Sequence, residues 1–192
     1  LMRIDEFLRS RGFALLTGAL GEAQGQQFGQ RLEQLPELKR IAEIGFNAGH
    51  SAECFFKNCP QLEQLISFDI NAFPYTKPAA DFFQTLHPAQ FFLVEGDSRV
   101  KVPEFASLFP EQKFDLIYID GSHWFQDVVA DILHAQELAH PKTLLWLDDY
   151  HHTGVCQAIE FCKNLGVIAV KEIFPSEDKN GKKRVWVEAE YI

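Results

Sequence analysis

The sequence is poor in positive charge. Lysine and arginine together number 18 against 27 aspartates and glutamates, so the formal net charge is −9. This charge has the wrong sign for a protein that tracks a phosphate backbone, and we therefore expect no nucleic-acid partner. The one basic run holds Lys179, Lys182, Lys183 and Arg184 around Asn180-Gly181. We interpret it as a hairpin turn with solvated flanks.

Long apolar runs and clustered cysteines are also missing. No run reaches the roughly 18 apolar residues of a membrane-spanning helix. Charged Arg3, Asp5 and Glu6 stand where a signal peptide would have an apolar segment. We therefore expect a cytoplasmic protein with no membrane partner. The four cysteines lack CxxC spacing and the density of a disulfide scaffold, so we expect them to be reduced core residues.

The composition is that of an ordinary globular protein. Apolar residues make up 46% of the chain and charged residues 23%, far from disordered or fibrous compositions. The length of 192 residues supports one well-buried domain. Residues 1–40 are predicted to form an N-terminal helical cap that includes Phe7, Leu8, Leu15, Leu16 and Leu20. This cap could fold over a ligand crevice, pack as an ordinary element or form a homodimer contact.

From Ile41 onward, short apolar runs alternate with amphipathic stretches, which is typical of βα units that build a parallel sheet. Strands are predicted at 41–44, 65–70, 91–94, 114–120 and 143–147, and helices at 51–58, 79–86, 102–108, 124–139 and 155–162. The runs 167–174 and 184–191 are predicted to close the sheet as a hairpin. Residues 41–192 thus predict an α/β domain. It has a Rossmann-like, seven-stranded, mostly parallel sheet with an antiparallel C-terminal hairpin and helices on both faces.

Polar residues follow the predicted strands, at the edge where open α/β sheets collect ligands. Gly45 and Gly49 let the backbone approach a ligand closely beside a helix N-terminus, although the loop departs from GxGxxG. Asp69 ends the second strand about twenty residues later, where a carboxylate can accept from both ribose hydroxyls. Asp97, in Gly96-Asp97-Ser98, can accept from an adenine amino group.

The charge around this loop favours a cationic cofactor. No lysine or arginine lies between Ile41 and Phe56, whereas a pyrophosphate would need such partners. Carboxylates at Glu43, Asp69, Asp97 and Asp120 suit a sulfonium cation instead.

The stretches EIGFNAGHSA, SFDI, EGDS and FDLIYIDGSH, in that order, resemble the successive motifs of class I S-adenosylmethionine-dependent methyltransferases. The resemblance covers roughly residues 40–165. It implies that the methionine moiety is surrounded by Gly45, Phe46, Asn47, Gly49 and Ser51, the ribose by Asp69 and Ile70, and the adenine by Asp97 and Ser98. The same motifs add Glu43, Gly96, Asp120, Gly121, Ser122 and His123 to the predicted cofactor site.

The residues after the fourth and fifth strands carry the predicted reaction chemistry. Asp120, Asp148 and Asp149 could bind Mg²⁺ or another divalent cation through carboxylate oxygens. The pattern is similar to the metal-dependent catechol-type O-methyltransferases, in which an Asp-Asn pair follows strand five and a lysine is the general base. Here Asp149 replaces the asparagine and His123 stands at the lysine position, where an imidazole can accept a proton near neutral pH. His123 could instead orient the cofactor or Asp148.

The stretches IDGSHWFQDVVADI and LLWLDDYH are more similar still to bacterial small-molecule methyltransferases of the IDGxH type. The sequence therefore predicts an S-adenosylmethionine-dependent methyltransferase that acts on a small molecule, by O-methylation assisted by a divalent metal. Nitrogen acceptors stay open. Two alternatives are a non-catalytic S-adenosylmethionine-binding protein and a metal-dependent hydrolase or oxygenase that uses His123, His151 and His152.

Overall fold

The structure, a computed structural model, describes residues 2–14, 20–177 and 181–192. These residues form a seven-stranded sheet in the order β3-β2-β1-β4-β5-β7-β6. Its strands are β1 (Arg40–Ile44), β2 (Gln64–Asp69), β3 (Phe91–Glu95), β4 (Phe114–Ile119), β5 (Ala139–Leu147), β6 (Ile168–Glu177) and β7 (Lys183–Tyr191).

The first five strands run parallel, and the last two are antiparallel. Ile44 at the end of β1 pairs with Phe68 of β2 and with Ile119 of β4, so these strands end at one edge of the sheet. β7 lies between β5 and β6 and is antiparallel to both. This arrangement confirms the predicted fold class, including the hairpin, although its turn at 178–180 lies outside the described residues.

Helices cover both faces of the sheet. They are α1 (Ile4–Ser10), α2 (Glu22–Glu33), α3 (His50–Asn58), α4 (Thr76–Leu86), α5 (Ser98–Leu108), α6 (Phe125–Ala135) and α7 (Thr153–Asn164), with a 3₁₀ turn at Gln136–Leu138. Ile41 packs into the core under α1–α4, whereas the next residue, Ala42, packs into the core under α5–α7. Side chains of a strand alternate in this way, and burial on both faces explains the continuous apolar runs. No helix in the described ranges is both long and apolar enough to cross a membrane.

Two helices begin about one turn earlier than the sequence predicts. α4 begins at Thr76 and contains Pro78 in its first turn, where the missing N–H of proline costs no hydrogen bond. α5 begins at Ser98 because the Asp97 carboxylate caps it, accepting a hydrogen bond from the Arg99 N–H at 3.0 Å. The predicted starts at 79 and 102 are therefore wrong by one turn.

The N-terminal helices pack on the sheet as ordinary elements. Phe28 of α2 is fully buried, and its ring centroid lies 4.9 Å from those of Trp146 and Trp186 and 5.5 Å from that of Tyr118. α1 contributes buried Ile4 and Leu8 to the same core. Leu15 and Leu16 lie outside the described residues.

Candidate active site

A cavity of about 720 Å³ opens at the edge where the parallel strands end. Every predicted cofactor residue from Asp69 onward lines it, together with Gly45 and Asn47. The loop after β5 adds Asp149, His151 and His152. Because parallel strands share their carboxyl edge, these residues from distant parts of the sequence lie side by side.

Gly45 allows β1 and β4 to lie close together at the base of the cavity. Its φ is +97°, and a Cβ at this position would lie 2.1 Å from the Asp120 carbonyl oxygen. Any side chain here would displace the loop after β4. Gly49 has a φ of +80° at the start of α3, and a Cβ there would lie 2.5 Å from the Phe83 ring. Packing therefore requires both glycines, but only the first of the two lines the cavity.

Asp69 is held firmly at the cavity wall. Its Oδ2 accepts a hydrogen bond from the Asn47 N–H at 2.7 Å, and its Oδ1 accepts one from the Asn71 N–H at 2.6 Å. Both asparagines adopt positive φ, +51° and +58°, which turns their N–H groups toward the carboxylate. A carboxylate has about four lone-pair sites, so two remain for a ligand.

Four predicted cofactor residues do not line the cavity: Glu43, Phe46, Gly49 and Ser51. Glu43 is fully buried and accepts hydrogen bonds from the hydroxyls of Ser51 and Ser67. Burial raises the pKa of Glu43 to about 7, although the two hydroxyls oppose the shift. Phe46 packs against other core rings. The side chains of Glu43, Phe46 and Ser51 are therefore engaged within the protein, and contact of these four residues with the cofactor stays a prediction.

Asp97 lines the cavity but already has a partner. Its Oδ2 lies 2.6 Å from an Arg99 guanidinium nitrogen, and another nitrogen of that guanidinium lies 2.8 Å from Asp127 Oδ1. The hydrogen bond from Arg99 holds the pKa of Asp97 below its usual range. Arg99, which the sequence did not single out, thus neutralises the predicted adenine acceptor.

The Ser98 hydroxyl also faces the protein. It donates to Asp131 Oδ1 of α6 at 2.6 Å. Burial raises the pKa of Asp131 to about 6, and the Ser98 hydrogen bond partly opposes this shift. Because this bond uses the hydroxyl hydrogen, the Ser98 side chain can meet a ligand only as an acceptor.

A cluster of three histidines and one carboxylate forms the other end of the cavity. His123 Nε2 lies 2.7 Å from Asp149 Oδ2, and His151 Nε2 lies 3.6 Å from Asp149 Oδ1. The ring of His152 stacks on that of His123 with a centroid distance of 4.4 Å. Asp149 has a φ of +54°, which lets it turn out of β5 toward this cluster.

The electrostatics of the cluster single out His123. The hydrogen bond to Asp149 raises the pKa of His123 above its ordinary value. Burial alone would raise the pKa of Asp149, but the bond from His123 and the nearby histidine charges lower it on balance. Burial lowers the pKa of His151. Of these two histidines, His123 is therefore the one that binds a proton more strongly than an ordinary histidine.

The structure does not assemble the predicted metal site of Asp120, Asp148 and Asp149. Asp148 is 4% exposed and points inward, where its Oδ2 accepts from the Tyr118 hydroxyl and the Gln24 amide at 2.6 Å each. Burial and the neighbouring carboxylates raise the pKa of Asp120 well above its ordinary value. Within the described ranges, the set whose ligand atoms lie within 4.8 Å of one another is His123, Asp149 and His152.

Two residues of the basic run line the same cavity. The run was interpreted as solvated, and Lys182 is exposed whereas Arg184 is partly buried, but both residues also lie on the cavity wall. β7 runs antiparallel to β5, so its first residues lie at the edge where the other strands end. The predicted hairpin already implied this position for Lys182 and Arg184, because an antiparallel strand begins at the edge where its parallel neighbours end.

The sheet order and the position of the cavity define the Rossmann-like methyltransferase fold. A family model described as a methyltransferase domain matches residues 42–150, which is more than half of the chain. The protein belongs to this methyltransferase family. Among curated protein sequences, none matches it.

Solved structures share the fold at low sequence identity. The O-methyltransferase from Bacillus cereus in complex with SAH has a TM-score of 0.77 at 15% identity, covering 98% of this chain and 90% of its own. TomG from Streptomyces achromogenes, an O-methyltransferase in complex with SAM, has a TM-score of 0.73 at 15% identity, covering 98% and 87%. The SAH-bound methyltransferase PaMTH1 from Podospora anserina has a TM-score of 0.69 at 16% identity, covering 98% and 86%.

Proposed function

We propose that the protein transfers a methyl group from S-adenosylmethionine to an oxygen of a small molecule. The observation that carries this proposal is the Asp69 carboxylate, fixed by two backbone N–H groups at the wall of the 720 Å³ cavity. Its remaining lone pairs suit a pair of ribose hydroxyls. The SAM and SAH complexes of the O-methyltransferases that share the fold support the same cofactor.

The cavity fits a cationic adenosyl cofactor. Gly45 and Asn47 would lie along the methionine part, Asp69 and Ile70 at the ribose, and Ser98 at the adenine. The bound cofactor supplies an electrophilic methyl group on its sulfonium. The protein contributes mainly by holding the two reactants in line, since orientation alone can remove much of the barrier.

His123 is the general base of this proposal. Asp149 Oδ2 accepts from His123 Nε2–H, which fixes the tautomer and leaves Nδ1 to accept a proton from the acceptor hydroxyl. The carboxylate also stabilises the imidazolium that forms, so the pair works as base and orienting group.

The cofactor and the reaction are tested separately. Calorimetry with S-adenosylhomocysteine measures cofactor binding, and the absence of binding would overturn the proposal. Release of S-adenosylhomocysteine from S-adenosylmethionine in the presence of an acceptor distinguishes a methyltransferase from a protein that binds the cofactor without turnover.

A divalent metal is the second candidate for assistance, and it uses the same cluster. His123, Asp149 and His152 place one carboxylate and two imidazoles within 4.8 Å. This mixed nitrogen and oxygen set suits zinc, iron or manganese better than Mg²⁺, which prefers oxygen alone. A metal would polarise the acceptor oxygen. His123 would then lose its hydrogen bond to Asp149 and its role as base.

Chelation separates the two candidates. Activity that survives exhaustive treatment with EDTA supports His123 as base. Activity that is lost, and that returns with one added divalent metal, supports the metal. Metal content after purification without added metal gives an independent reading.

A further inference from the structure

The end of the cavity formed by the histidine cluster also carries two permanent cations. Lys182 and Arg184 line it together with His123, His151 and His152, in a chain whose formal net charge is −9. Asp69 lines the same cavity at the end of β2, which lies on the other side of β1 from β4 and β5, and it forms none of the ion pairs among the described residues. The two sides of the cavity therefore carry unneutralised charges of opposite sign.

The backbone fixes Arg184 beside the cluster. Leu147, the last residue of β5, pairs with Val187 of β7, and the Tyr150 N–H donates to the Val185 carbonyl at 2.8 Å. The start of β7 is thus bonded to the loop that carries Asp149. On its other side the Arg184 stem lies against the N-terminus of α2, since a Cβ on Gly21 would be 3.7 Å from Arg184 Cδ.

Several other charged groups at the wall form ion pairs. Arg99 pairs with Asp97 and Asp127, and Asp149 lies against His123 and His151. None of the ion pairs formed between residues 2–14, 20–177 and 181–192 includes Arg184. Its guanidinium is therefore a positive charge on the cavity wall that no carboxylate of the described chain neutralises.

We infer that Arg184, assisted by Lys182, binds an anionic group of the methyl acceptor, either a carboxylate or a phosphate. This inference rests on the proposed function, because it takes the histidine end as the acceptor end. A guanidinium presents two parallel N–H donors that match both groups. Electrostatic attraction then favours the anionic acceptor beside Arg184 and the cationic cofactor beside Asp69.

The experiment measures the binding of benzoate, phenyl phosphate and neutral benzamide by calorimetry, with and without saturating S-adenosylhomocysteine. The variants are Arg184→Gln, Arg184→Lys and Lys182→Gln. Lys183→Gln is the matched control, because Lys183 is exposed, carries the same charge and does not line the cavity. Thermal unfolding of each variant verifies that it folds.

We expect at least one anion to bind about tenfold more tightly than benzamide, and Arg184→Gln to remove about that factor. Arg184→Lys keeps the charge but lacks the two parallel N–H donors, so it should retain part of the affinity for the anion. Lys183→Gln should retain all of it. The comparison of benzoate with phenyl phosphate identifies the anion class. Equal binding of the three compounds, or an Arg184→Gln variant that still prefers the anion, overturns the inference.

The proposed function can fail independently. If S-adenosylhomocysteine does not bind while Arg184 still discriminates the anions, the cofactor assignment fails and the anion site stands. If S-adenosylhomocysteine binds and the anions are not discriminated, the anion site alone is refuted.

Discussion

Replacement of Asp69 by asparagine tests the cofactor site most directly. Both carboxylate oxygens accept backbone N–H groups, from Asn47 at 2.7 Å and from Asn71 at 2.6 Å. In the variant, one oxygen becomes an NH₂ group that faces a backbone donor, so the loop must shift. The ribose also loses a charged acceptor. Hydrogen bonds to a charged group contribute about 1.5–3 kcal/mol each, and the loss of two weakens binding on the order of a hundredfold or more.

The assay is calorimetric titration with S-adenosylhomocysteine. Asp81→Asn is the matched control, because Asp81 is an exposed residue of α4, pairs with Lys77 and does not line the cavity. It makes the same change of charge elsewhere on the molecule. An Asp69→Asn affinity within about threefold of the control would refute the assignment of Asp69 to the ribose.

Three further predictions concern the base, the core and a buried acid. His123 must be neutral to accept a proton, so kcat/KM should fall as the pH drops through its raised pKa. Asp149→Asn removes the partner that raises this pKa, and a pH–rate profile of the variant should therefore show the fall at lower pH. Phe28→Ala should lower the free energy of unfolding by about 3–5 kcal/mol in a denaturant titration, because it empties the centre of the aromatic core. Burial raises the pKa of Glu43 from 4.5 to about 7. In the pH range between these two values, the folded state keeps a proton that the unfolded state releases. Stability should therefore fall as the pH rises across it, by about 3 kcal/mol, and Glu43→Gln should remove this dependence.

The strands could be predicted because both faces of the sheet are buried. The run from Phe114 to Ile119 is almost wholly apolar, and no other element accounts for such a run between turn residues. Helix starts were harder to predict. α5 begins with Ser98 because Asp97 caps it, and the polar first turn gives no apolar period to detect. The predicted start at 79 leaves Pro78 outside the helix, whereas the first turn of a helix accepts proline.

At the site, the sequence located the strand ends but not the directions of the side chains. Adjacent Asp148 and Asp149 were assigned to one metal, yet Asp148 follows the alternation of β5 and faces the side of Trp146, under α2. Asp149 faces the cavity because its positive φ breaks that alternation. The same alternation puts Glu43 on the face of Ile41, under α1–α4. Strand periodicity thus predicts the face on which Asp148 and Glu43 lie, whereas the direction of Asp149 depends on a positive φ that periodicity does not predict.

Arg184 comes from a different part of the chain from Asp69, and this separation has a functional consequence. The family model matches residues 42–150, which include Asp69 and His123 and exclude Arg184. Arg184 reaches the cavity through β7, whose register is set by β5 and β6 and not by the loop after β1. We therefore expect a substitution at Arg184 to leave the hydrogen bonds that hold Asp69 intact. If the proposed anion site is correct, Arg184→Gln should change acceptor preference while its affinity for S-adenosylhomocysteine, measured by calorimetry, stays that of the parent protein.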